Sequence, residues 1–166
     1  MSDCCFIGVD PGSRKLGYAC LKKSSNEKLI IIKSGEISFV SGEALESKLS
    51  FVYDFFEGLL INLNKNNIDL DNIRLIIEEQ FVDKDVRSSF VLVSIRAVLM
   101  MLAYKNSIPV KCIFPSQVKK TITGNGLASK STVILAITRL FEGYIPTSHD
   151  EADAIAIALA AALSGF

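Results

Sequence analysis

The order of elements read along this chain, β-β-β-α-β-α-β-α-α, predicts an α/β fold: a five-stranded mixed sheet with helices on both faces. Three observations carry that prediction. Five short apolar runs bounded by turn residues read as strands. The first three succeed one another with short turns, as in an antiparallel meander. The later ones are separated by segments whose apolar residues recur at helical spacing, as parallel neighbours require. The 166 residues suit a single domain spanning 1–166, and 49% hydrophobic content excludes a disordered chain.

Each element has its own signal. "CCFIGVD" (4–10) is an apolar run ending in an acid, so it reads as a buried strand with Asp10 at its C-terminal edge. "PGSRKLG" turns into a second strand, "YACLKK". "KLIIIKSGEISF" (28–39) is a third, with Gly35 the expected bulge. Leu45, Leu49, Val52, Phe56, Leu59, Leu60 and Leu63 mark a helix over about 43–65. "IRLIIEEQ" (73–80) is a fourth strand, again ending in carboxylates. The stretch 88–104 is helical and apolar on more than one face, which predicts either a central helix or one that packs on a second copy of the chain. "IPVKCIF" (108–114) is a fifth strand. "SQVKKTITGNG" is a short helix closing in a glycine loop, 129–141 is another helix, and the last begins near Ser148. Ligands of such sheets bind beyond the carboxyl ends of parallel strands. Asp10 and Glu78/Glu79 fall there if the first and fourth strands are parallel neighbours.

Charge is segregated. Residues 86–141 contain no Asp or Glu and carry eight bases, whereas 1–85 hold ten bases against fourteen acids and 142–166 hold four acids and no base. A one-sided segment of this kind points to a polyanion such as nucleic acid, or else to bases scattered over a solvated surface. The four cysteines, Cys4, Cys5, Cys20 and Cys112, form no C-x-x-C pair, so free thiols in a reducing cytoplasm are expected rather than zinc or disulfides. The N-terminus lacks the pattern of a signal peptide. The apolar run 152–163 is shorter than the roughly 20 residues a bilayer requires.

The last helix opens with "SHDEAD". Ser148 and Glu151 match the S-x-x-E capping box, which accounts for Glu151. Asp150 and Asp153, three apart, share one face, and the residues after Asp153 are small or apolar. Two carboxylates on a packed face repel and desolvate one another unless a cation lies between them. Singly, Asp10, Glu79, Asp150 and Asp153 are each as readily a turn or cap residue. Together they would meet at one sheet edge. Hard oxygen donors with no His or Cys cluster suit Mg²⁺ or Mn²⁺. Two such ions about 4 Å apart form the clamp used in phosphodiester cleavage.

Four motifs in order resemble a known family. "GVDPGSRKLGY" (8–18), "IIEEQF" (76–81), "QVKKTITGNGLASK" (117–130) and "HDEADAIAIA" (149–158) are similar to the motifs of RuvC-type Holliday junction resolvases, which have an RNase H-like fold. The resemblance runs through nearly the whole chain. It implies a dimeric endodeoxyribonuclease that cuts four-way junction DNA by paired symmetric nicks in recombination and repair. Its catalytic and metal-binding acids would be Asp10, Glu79, Asp150 and Asp153, with two Mg²⁺ per subunit and Mn²⁺ as an accepted substitute. Lys119 and Lys130, with Lys120 and Arg14, would contact DNA. Helix 88–104 would form the homodimer, and a branch-migration helicase complex of the RuvA/RuvB type is an implied partner in the cytoplasm. Counted from Glu79, the family's DNA-wedging aromatic falls on Val82, and Phe81 stands one residue earlier. Phe81 is thus a candidate for the wedge or for the core. Asp83 and Asp85 also depart from the family's Lys-Asn pair. His149, the one histidine, is a candidate either for the cleft or for an exposed helix start.

Competing readings are another RNase H-like nuclease acting on RNA–DNA hybrid or ribosomal RNA precursor, and a junction-binding protein that does not cut. A sugar-kinase or actin-like ATPase also begins with a strand, an Asp and a glycine turn, but needs a longer two-domain chain.

Overall fold

The computed structural model describes residues 3–79 and 86–166. Strands β1 (Cys4–Asp10), β2 (Lys15–Lys23) and β3 (Leu29–Ser38) form the antiparallel meander, and β4 (Ile73–Glu78) and β5 (Val110–Ile113) add in parallel to β1. The order is β3-β2-β1-β4-β5, the mixed sheet that the sequence predicts. β1 is central and its middle five residues are buried, which explains a run that is apolar throughout rather than alternating.

Helices α1 (Leu45–Lys65) and α2 (Val86–Lys105) cover one face, and α3 (Pro115–Thr123), α4 (Lys130–Leu140) and α5 (His149–Ser164) cover the other. The sheet separates two cores. Cys5, Ile7 and Val9 point to α1 and α2, whereas Phe6 packs against α5. α5 lies unusually close to the sheet. A Cβ on Gly8 would stand 2.4 Å from the Ala154 carbonyl oxygen, and one on Gly17 would stand 1.9 Å from that of Asp150. The glycines of β1 and β2 and the alanines of α5 together permit this approach.

Local details differ from expectation. β2 begins three residues earlier than Tyr18, because the turn needs only residues 11–14. The extra residue of β3 is Ile32 and not Gly35: Cys20 pairs with Lys33 while Leu21 pairs with Ile31. Gly35 instead makes room for the Tyr18 side chain, whose hydroxyl would be 3.0 Å from an added Cβ. β4 ends at Glu78, and Glu79, which the sequence places in the strand, lies beyond it.

Candidate active site

Register builds the site. Asp10 pairs with Gly17, and Gly17 with Glu36, while on the other side Val9 pairs with Ile77 so that Asp10 comes beside Glu78. Glu36, Gly17, Asp10 and Glu78 therefore form a row across four strands, on the face that α5 covers. The first turns of α5 add Asp150 and Asp153 above that row.

A cleft of about 240 Å³ opens between β1, β4, α3, α4 and α5. Asp10, Glu78 and Asp153 line it together with Lys119 and Lys130, over apolar side chains that include Val118, Val133 and Ile157. Lys130 Nζ donates to Asp153 Oδ2 at 2.5 Å. A larger groove of about 560 Å³ beside β3 has only Glu27 and Glu142 as acids, so the convergent chemistry lies in the smaller cleft.

The electrostatics of the cleft are dominated by crowded negative charge. Burial, followed by the charges of Glu78, Asp153 and Asp150, pushes the Asp10 carboxyl up to about 8. Asp150 is also raised, by burial first and then by the neighbouring Glu36 carboxylate, with Lys15 opposing. Lys15 Nζ pairs with Glu36 Oε1 at 2.7 Å and, as the main cause, holds the Glu36 carboxyl below its usual range. Lys130 is raised chiefly by its bond to Asp153. Among the described residues, no three His, Cys, Asp or Glu side chains are drawn together closely enough to hold a metal ion as they stand.

Glu151 serves a different purpose from its neighbours. Ser148 Oγ accepts from its backbone N–H at 3.1 Å, which is half of the expected capping box. Its carboxylate does not return to Ser148. It is buried and accepts from the Thr147 N–H and hydroxyl, each at 2.6 Å, from Tyr144 at 2.6 Å and from Ser34 at 2.7 Å. Burial opposes its ionisation, but these donors outweigh it and bring the carboxyl down to about 2. Glu151 thereby ties the start of α5 to β3 and to the preceding loop.

The structure sets one expected site residue apart from the others. Glu79 is turned away from Asp10: its two oxygens accept from the two terminal nitrogens of Arg96 on α2. The physical reason is strand alternation, because Glu79 follows Ile77 toward α1 and α2 whereas Glu78 follows Ile76 toward α5. The second acid beside Asp10 is Glu78. The phase of Gly8 with Asp10 and of Ile76 with Glu78 was the signal in the sequence that could have chosen it. Counted from Glu78, Phe81 falls three positions on, the spacing of the family's aromatic, although Phe81 and Val82 lie outside the described residues. Asp10 and Asp153 lie in the cleft with Lys119 and Lys130. Asp150 sits to one side, toward Glu36. Arg14, Lys120 and His149 are exposed. Glu36 and Lys15 were not singled out from the sequence: Glu36 belongs to no motif, and Lys15 falls within 8–18 with no role of its own there.

The family model for the crossover junction endodeoxyribonuclease RuvC matches residues 6–161. The chain belongs to the RuvC family. Among its RuvC relatives, the crossover junction endodeoxyribonuclease of Brachyspira hyodysenteriae is 33% identical over 93% of this chain and 91% of its own length. That of Rickettsia prowazekii is 33% identical over 92% of each chain. The fold is similar to that of Thermus thermophilus RuvC solved in complex with a Holliday junction substrate, with a TM-score of 0.83, 22% identity and coverage of 98% of this chain and 94% of that one. The RuvC motif at 149–158 is thus a helix whose acids serve two ends, with Asp153 in the cleft and Glu151 in the scaffold.

Proposed function

We propose that this protein is a homodimeric, divalent-metal-dependent endonuclease that resolves four-way DNA junctions by paired symmetric nicks, in recombination and repair. The observation that carries the reading is the convergence of Asp10, Glu78 and Asp153 in one cleft with Lys119 and Lys130 on its walls.

The donor set fits Mg²⁺ or Mn²⁺. All of its ligands are hard carboxylate oxygens. Asp10, pushed up to about 8 by burial and by its acidic neighbours, would ionise readily once a divalent cation added positive charge to the cleft. Asp10, Glu78 and Asp153 would hold the ions, two per subunit, with Asp150 completing the set. When bound, such a pair activates the attacking water and stabilises the leaving 3′ oxygen. Lys119 and Lys130 would grip phosphates beside the cut, and Lys120 and Arg14 would extend the basic track. Lys130, bound to Asp153 in the free protein, would exchange that partner for phosphate.

The second half of the reading concerns symmetry. On α2, Val86, Phe90, Val93, Ala97, Met100 and Tyr104 form an exposed stripe, while Ile95, Leu99 and Leu102 are buried on the opposite side. By length and composition α2 could also cross a membrane. Its packing into the core beside α1 favours a soluble dimer seam instead. A two-fold dimer would present two clefts to a two-fold junction. A branch-migration helicase complex of the RuvA/RuvB type, acting in the cytoplasm, would be the natural partner.

A synthetic four-way junction with one 5′-labelled strand tests the core of this. In Mg²⁺ the protein should leave symmetric nicks that EDTA and Asp153→Asn abolish. Tight binding without nicks in any metal would favour a non-cutting binder. Cleavage of RNA–DNA hybrid in preference to the junction would move the substrate class.

A further inference from the structure

Beyond the cleft acids, the sheet row ends in a carboxylate to which the proposed reaction gives no part. Glu36 lies against Asp150, and one of its oxygens is committed: Oε1 accepts from Lys15 at 2.7 Å and from Ser38 Oγ at 3.0 Å. The other, Oε2, is buried and makes no well-formed hydrogen bond, although the Ser148 hydroxyl and the Asp150 carboxyl lie beside the Glu36 carboxylate. Lys15 does not account for the burial. Its side chain is 53% exposed, and an ion pair at that exposure contributes little. A buried, unsatisfied carboxylate oxygen costs more. The arrangement also sets a second negative group beside Asp150, which the exposed Lys15 offsets only in part.

Resting on the proposed metal centre, we propose that Glu36 is a positioning residue of that centre: its free Oε2 accepts a hydrogen bond from water carried by the cation that Asp150 helps to hold. Three features suit the role. Mg²⁺ and Mn²⁺ keep several waters when bound by few carboxylates, and those waters need acceptors. Lys15 and Ser38 fix Oε1, so that Oε2 is held in one place. Gly17 lies between Glu36 and Asp10, and its lack of a side chain lets the Asp150 backbone settle onto the row, which sets Asp150 beside Glu36. Lys15 and Lys130 thus hold acids at the two sides of the centre, Glu36 on one and Asp153 on the other.

The test is calorimetric titration of the DNA-free protein with Mn²⁺, comparing wild type, Glu36→Gln and Asp10→Asn, with melting followed on the same samples with and without Mn²⁺. Loss of an outer partner of a metal ligand weakens affinity by roughly 10- to 100-fold. Glu36→Gln should therefore bind Mn²⁺ at least tenfold more weakly, and the Mg²⁺ concentration for half-maximal junction nicking should rise in step. A variant that melts lower but binds Mn²⁺ as wild type does would make Glu36 purely structural and overturn the proposal. If wild type and Asp10→Asn bind Mn²⁺ equally, the metal reading itself fails and takes this proposal with it. If Asp10→Asn alone loses affinity, only the role of Glu36 fails.

Discussion

Glu78 and Glu79 share a sequence context and differ only in which way the strand turns them, so substituting them one at a time separates two kinds of loss. Glu78→Gln should lower junction nicking by roughly 10- to 100-fold or more, because a ligand of the proposed centre is weakened. Glu79→Gln should retain most of the rate and instead lose about 1–3 kcal/mol of stability, since it frees Arg96 from a charged partner. Equal loss of nicking in both would return Glu79 to the centre. Asp10 makes a prediction in pH. Its folded carboxyl sits near 8 against an ordinary value of 3.8, so folding takes up a proton between these values. Its contribution is fully present below about pH 4 and is lost as pH rises through 8. Metal-free Asp10→Asn should then be more stable to denaturant than wild type at pH 8.5, by on the order of a few kcal/mol, and equally stable near pH 4. Asp10 and Asp153 were legible from the sequence because each opens or ends an element at the sheet edge. Glu78 was harder to choose, because two adjacent glutamates give no cue until the phase of the strand is fixed by its neighbours. Glu36 became visible only through register, which a sequence read in one dimension does not supply.

At the scale of an element, α5 is held by its first turn. Glu151→Ala would leave Thr147, Tyr144 and Ser34 without their shared acceptor, at a cost of about 2–4 kcal/mol, and should lower the melting temperature by roughly 5–15 °C. The wild-type charge has an acid limit. Its carboxyl lies near 2 when folded against 4.5 ordinarily, so the stability it adds is present above about pH 4.5 and disappears as pH falls through 2. A melting curve between pH 2 and 5 that is flatter in Glu151→Gln than in wild type would bear this out. The sequence announced α5 through its capping signal and small apolar residues. What it did not disclose is that Glu151 turns back to the loop and β3 rather than to the cap, because its donors come from residues 34, 144 and 147.

For the whole molecule, the exposed stripe of α2 decides the assembly. Phe90→Glu and Val93→Glu together should give a folded monomer by sedimentation, since both side chains are more than half exposed in the single chain. That monomer should bind a four-way junction much more weakly and lose the symmetry of its nicks. A dimer that survives would place the seam elsewhere. The mixed five-stranded sheet and its two-faced covering were legible in the alternation of strand and helix, whereas the strand order was not. The acid-free span 86–141 marked the basic side of the cleft, since Lys119 and Lys130 both come from it. Gly8 and Gly17 carry a last consequence. Each is a place where a single methyl group would collide with the backbone of α5, one at Ala154 and one at Asp150. In a survey of every possible substitution scored only by DNA cleavage, these two positions would look as intolerant as the acids. A parallel score for soluble, folded protein would split them apart, the carboxylates failing in chemistry alone and the glycines failing because the helix that carries Asp150 and Asp153 has been lifted off its seat.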